Sequence, residues 1–238
     1  MPLKAHLGTA ALLLALAATA PLLAQNLLPA HWKAELRQAD KNLRAQQWQE
    51  AGKKAQRVAN EMVDNVGTRI EAAHSLAVAT ALLAIAEAGL GYPDEAEWLW
   101  DSALNLDPSI AQTDVAGYGP AAAELRKRSL RTANSAELRH GDKNIEGVER
   151  PLIIHQTQPD YPEAMRRLGV SGAVVISSII GVDGRPRQPL IVDAQGGGPA
   201  LKYVALDTLR QWRFEPAKKG GKPVAVAYVV TVNFKVKK

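Results

Sequence analysis

Thirteen consecutive residues near the carboxy terminus, Val224 to Val236, alternate between two kinds of side chain. Even positions read Val224, Val226, Tyr228, Val230, Val232, Phe234 and Val236, while odd positions drift from Ala225, Ala227 and Val229 to Thr231, Asn233 and Lys235. A period of two with one apolar side marks a strand with one buried face. At roughly 3.3 Å per residue it would run about 40 Å, well past the common strand of about 5 to 6 residues. So long a strand needs a partner or a use.

The sequence before it supplies candidate neighbours. "PLIIHQ" reads as a short strand, and "PDYPEAMRRLG" as a turn that becomes a short helix. "SGAVVISSIIGVDGRPRQPLIVDA" reads as two strands joined across Val182-Asp183-Gly184-Arg185, with Asp-Gly expected to supply the positive φ angles of a tight hairpin. After the glycines at 196 to 198, "PALKYVALDTLRQW" places Leu201, Val204, Ala205, Leu209 and Trp212 on one helical face. Pro199 fits the first turn of that helix and Pro216 is expected to end it. The order strand, short helix, two strands, helix, strand gives an α+β layer arrangement, one helix layer on a small antiparallel sheet.

These residues carry a resemblance. Pro159, Tyr161, Pro162 and Ala164, then Gly169, Gly172 and Val174, then Asp183-Gly184-Arg185, and lastly Trp212-Arg213-Phe214, Pro216-Ala217, Gly221, Pro223 and Val224 occur in the order and at the intervals of the TonB energy-transducer family. The segment from about 152 to 238 therefore resembles the family's carboxy-terminal domain. Physical reasons accompany the motif: Tyr161-Pro162 fixes an extended entry to the short helix, Gly169 and Gly172 bring that helix close to the first strand, and Trp212 and Phe214 plug the end of the main helix into the core. The resemblance implies that the last strand lies at the sheet edge and pairs with a short segment, the TonB box, of an outer-membrane receptor. Strand addition of that kind draws its affinity from main-chain hydrogen bonds. The same edge could instead pair with a second copy of the chain, or be protected by Lys235, Lys237 and Lys238.

The amino-terminal half has a different character. Residues 25 to 150 hold 15 Lys/Arg against 18 Asp/Glu, a net of −3, and residues 151 to 238 hold 13 against 6, a net of +7. That sign change suggests two units with different surfaces. The first is helical by pattern, rich in alanine, leucine and long polar residues. In "LLAIAEAGLGYPDEAEWLWDSALNLDP", Leu83, Ala84, Gly91, Ala96, Trp100, Ala103 and Pro108 fall at the offsets of a tetratricopeptide repeat. "QQWQEAGKKAQRVANEM" looks like a helix of another repeat, although Ala51 and Ala96 lie 45 residues apart, not the 34 or so such a repeat prefers. Residues 132 to 150 are polar, lack proline and read as a linker. At the start, Lys4 and His6 precede an apolar run from Leu7 to Ala24, which reads as an export signal or as an uncleaved anchor facing the periplasm. The expected organisation is thus a leader over 1–24, an irregular α-hairpin (TPR-like) domain over 25–131, a linker over 132–150 and a TonB-like α+β domain over 151–238.

Catalytic chemistry is not indicated. The chain has no cysteine, so disulfide frameworks and thiolate sites are excluded. Its five histidines are scattered, Ser177 and Ser178 lie in a strand, and the glycine run at 196 to 198 lacks the Lys-Ser/Thr ending of a phosphate loop. No enzyme activity, cofactor or metal is expected, and an exported protein is not expected to meet nucleic acid. The expected partner is a protein: an outer-membrane receptor peptide or another envelope protein captured along Ala225, Val226, Ala227, Tyr228, Val229, Val230, Thr231, Val232 and Asn233. Tyr161 and Pro162 belong to the motif beside it, and Arg166 and Arg167 would steer acidic parts of the ligand. The alternative is an envelope assembly protein that binds peptidoglycan through its basic residues, or forms a homodimer through the same edge.

Overall fold

The computed structural model of the chain describes residues 29–66, 69–134 and 147–235. The apolar run of residues 7 to 24, read as leader or anchor, lies outside them. Among the described residues no helix is long and apolar enough to cross a membrane.

Alanine-rich sequence produces the helical part. Helices α1 (Ala30–Arg44) and α2 (Trp48–Val66) are joined through Gln46, whose φ of 58° is left-handed. Helix α3 (Ala73–Gly89) is buried from Ser75 through Ala86. With no polar face it can only be a central helix, and it packs on α2, on α4 (Pro93–Leu106) and on α5 (Pro120–Asn134). Small residues set the spacing: a Cβ on Gly52 would come within 3.3 Å of the Ala86 methyl, and one on Gly89 would enter the Trp48 ring. The turn before α5 is tied back to α1 by the phenol of Tyr118, which donates to the Asp40 carboxylate while Arg44 lies 4.6 Å over its ring.

The sheet-bearing part begins earlier than expected. Strand β1 (Val148–Glu149) pairs with β6 (Ala217–Lys219), which pairs with β7 (Lys222–Val224). Strand β2 (Leu152–His155) pairs with β5 (Arg213–Glu215). The main sheet has the order β4-β3-β8, with β3 (Gly172–Ile180) between β4 (Pro186–Gln195) and β8 (Val226–Phe234), all antiparallel. Short helix α6 (Glu163–Arg167) precedes β3, and α7 (Pro199–Gln211) follows β4. The fold class is α+β, as the sequence indicates.

Helix α7 holds the two parts together. Leu201, Val204, Ala205 and Leu209 meet the sheet face made by Val174, Ile176, Ile180, Val230, Val232 and Phe234 in one core. Each buried aliphatic side chain contributes about 1.5–3 kcal/mol relative to exposure. The opposite side of α7 lies on α2 and α4, where Gln56 Nε2 donates to the Tyr203 hydroxyl at 3.2 Å and Arg210 pairs with Glu95. The layers run sheet, α7, helical bundle.

Several expectations need correction. The segment read as a linker, 132–150, begins inside α5 and ends one residue past β1; residues 135 to 146 lie outside the described residues. The long terminal strand is interrupted at Ala225, because Lys222–Val224 fold back on β6 as a hairpin before β8 begins. In the β3–β4 turn only Gly184 takes a positive φ, 74°; Asp183 instead accepts the Arg185 amide at 3.2 Å and the Arg187 guanidinium at 2.7 and 2.8 Å. Pro216 does not end α7, which stops at Gln211 before the extended Trp212. Gly169 serves a φ of 63° after α6, and Gly172 leaves room for the Gln195 carbonyl, so neither draws α6 onto β3.

Candidate partner-binding edge

The two outer edges of the main sheet are treated differently. Helix α4 lies along β4, and Asn105 presents its amide as a peptide group would: Nδ2 donates to the Pro189 carbonyl at 2.7 Å, and Oδ1 accepts from the Ile191 amide at 2.7 Å. Covering an edge with a helix is one established way to prevent unwanted strand pairing. Strand β8, by contrast, pairs with β3 from Phe234 opposite Gly172 to Val226 opposite Ile180, and has no strand on its other side among the described residues. Alternate residues of an antiparallel edge strand direct their N–H and C=O outward.

Side chains along β8 sort as the period-two pattern requires. Val226, Val230, Val232 and Phe234 are buried, Tyr228 is half-buried, and Val229, Thr231 and Asn233 are exposed, Val229 by 57%. Aromatic contacts bracket the strand. Tyr228 meets Phe214 edge-on at 6.0 Å, and Phe234 meets Tyr161 edge-on at 5.9 Å. Burial raises the Tyr161 phenol pKa above its ordinary value.

Of the expected site residues, Val226 through Asn233 do form one continuous strand. Ala225 does not; it occupies the break before β8. Tyr161 reaches the far end of the strand through Phe234, and Pro162 is buried as the residue preceding α6. Arg166 and Arg167 are exposed on α6 and both face Glu163, the second at 3.9 Å. Pairs so open to solvent are worth about 0–1 kcal/mol, so the arginines keep a long-range field. Sequence reasoning missed Asn105, since nothing in "SALNLDP" announces that this helix will border a strand. Among the described residues no three metal-ligating side chains gather; His74 meets Asp107 at 2.5 Å.

A family model described as Gram-negative bacterial TonB protein C-terminal aligns with this region. Residues 157–236 match the TonB carboxy-terminal family. Protein TonB of Vibrio cholerae is 32% identical over 91 residues, 37% of this chain and 36% of that protein. Protein tonB2 of Pseudomonas aeruginosa is 30% identical over 83 residues, 35% of this chain and 30% of that protein. The solution NMR structure of the Pseudomonas aeruginosa TonB carboxy-terminal domain is 26% identical and aligns over 41% of this chain and 95% of that one, with a TM-score of 0.32. The chain thus spans about a third of the length of the curated relatives it matches. The TonB resemblance read from the sequence holds for the carboxy-terminal segment. The motif glycines, Tyr161-Pro162 and Trp212-Arg213-Phe214 all fall inside the matched span.

Proposed function

We propose that the chain is a non-enzymatic envelope adaptor that captures an extended peptide of an outer-membrane receptor along Val226–Asn233, by strand addition in receptor-coupled transport. One observation carries this reading: the sheet has one edge closed by α4 and Asn105 and one edge with no strand beside it among the described residues. An added strand would extend the sheet by main-chain bonding, with alternate side chains continuing the buried face beside Tyr228 and the exposed face beside Val229 and Thr231. The match of residues 157–236 to the TonB family supports a receptor peptide as ligand. The helical part is proposed to recruit a second protein from its outer surface.

The absence of cysteine makes the test direct. Single substitutions Val229→Cys, Thr231→Cys and Asn233→Cys are each oxidised with synthetic receptor amino-terminal peptides carrying one cysteine at successive positions. Strand pairing predicts that each variant cross-links with alternate peptide positions only, and that the preferred position moves by two when the variant moves by two. Uniform cross-linking, or none, refutes the reading. Disulfide dimers of the protein alone, formed preferentially by Val229→Cys, would instead support the second reading, self-association through the same exposed valine and edge; retention by purified peptidoglycan with no peptide capture would support an envelope-structural role. Export is tested by mass spectrometry of the amino terminus from a periplasmic fraction, where a chain starting at Gln25 would argue against an anchor of its own.

A further inference from the structure

A cleft of about 710 Å³ opens where the first turn of α4 faces the start of β4 and the end of α7, a volume typical of small-ligand sites. Each of its carboxylates has an arginine partner. Arg128 holds Asp94 at 3.1 Å and Glu97 at 2.9 Å, and Arg210 pairs with Glu95 and, at 2.5 Å, with Asp207. Across the cleft Arg187 grips Asp183 in a fork. One cation lacks a carboxylate and a second holds one only at long range. Among the described residues Arg213 donates to the backbone carbonyls of Arg210 and Trp212 and to no carboxylate, and Arg185 comes no closer to Asp183 than 3.9 Å.

Donors around the cleft also lack acceptors. Trp98 lines it, is 5% exposed, and has an indole N–H without an acceptor among the described residues. Helix α4 starts there with Tyr92 in the capping position and no side-chain cap, which leaves first-turn amides without intrahelical partners. Tyr92 itself stands on the rim, 59% exposed. N–H donors without acceptors and a guanidinium without a carboxylate call for an anionic acceptor, and a guanidinium fork matches a planar carboxylate. The acidic rim argues against a multiply charged anion such as phosphate. Asp94, 77% exposed at its side chain, would oppose dense negative charge yet accept the N–H groups a peptide brings with it.

We propose that this cleft binds the free carboxylate of a short soluble peptide, with Arg185 and Arg213 on its oxygens and Tyr92 against the neighbouring side chain. The site is separate from the β8 edge and stands or falls apart from it. Titration calorimetry of the full chain with Ala-Ala-Phe and with its carboxy-terminal amide tests it. The acid is expected to bind at least ten-fold more tightly than the amide, and the double variant Arg185→Gln, Arg213→Gln is expected to lose the same factor. Equal affinity for acid and amide, no binding of either, or a folded double variant that binds like the parent would overturn the proposal. Should the double variant fail to fold, the acid and amide pair on the unaltered chain still decides. Excess Ala-Ala-Phe is expected to leave cross-linking at Val229→Cys unchanged; competition there would place the peptide on the edge and overturn the assignment.

Discussion

Asn105 shows how one side chain decides what a sheet can do. Its amide satisfies a carbonyl and an N–H that β4 would otherwise present to solvent or to another strand. Replacing it by alanine leaves both groups without their partner, and an unsatisfied buried group costs about 1–3 kcal/mol. Asn105→Ala is therefore expected to lower unfolding free energy by about that amount in urea, and to bring concentration-dependent self-association by light scattering, because a second edge has been opened. A variant as stable and as monomeric as the parent would show that α4 alone seals the edge. Gly184 makes the complementary point, since it was legible in the sequence. Its φ of 74° and the Phe214 carbonyl lying against it exclude a Cβ. Gly184→Ala should cost about 1–3 kcal/mol, the scale of strain at a left-handed position plus displacement of β5, measured as a lowered melting temperature.

Among the elements, β8 was the most legible and still not fully so. Its alternation predicted which side chains would be buried, and Val232 at 1% exposure and Val229 at 57% bear that out. Val232→Thr buries an unpaired hydroxyl and is expected to cost about 1–3 kcal/mol in urea denaturation, whereas Val229→Thr should fall within about 0.5 kcal/mol of the parent, as exposed substitutions do. Similar losses at both positions would mean that something covers the outer face. What alternation could not reveal is the break at Ala225. Val224 continues the pattern in sequence, yet Gly220 and Gly221, both at positive φ, turn the chain so that Val224 pairs with Ala217. The two-residue turn wins over the periodicity because it brings Lys222–Val224 straight back onto β6, a backbone partner two residues away. Strand β2, expected within the main sheet, pairs instead with β5, a strand the sequence pattern did not announce, and among the described residues the two form a sheet of their own. The positions of Tyr161, Trp212 and Phe214 were readable from the motif, but the identity of the closed edge was not, because it depends on an element from the other half of the chain.

At the scale of the whole molecule, the opposite net charges of the two halves suggested separate units, whereas the structure seats one on the other through α7. The charge difference is part of that seating: Arg210 meets Glu95 across the junction, and Glu87 supports its charge against burial, which lowers the arginine pKa. Tyr203 reports on the same junction. Burial pushes its phenol up to about 12 from an ordinary 10.0, with Asp207 adding to the rise and the Gln56 hydrogen bond opposing it. In the folded chain the neutral phenol is favoured, while the unfolded chain ionises near its ordinary value. The stability from this group is therefore complete below pH 10 and is lost as pH rises from 10 toward 12. Unfolding followed by circular dichroism at fixed urea should show stability declining across that window. Tyr203→Phe should remove that part of the slope, at the cost of the Gln56 bond, worth about 0.5–1.5 kcal/mol at neutral pH. If the junction were a loose contact, Tyr203 would ionise at its ordinary value in the native protein, and the parent and the variant would lose stability in parallel above pH 10.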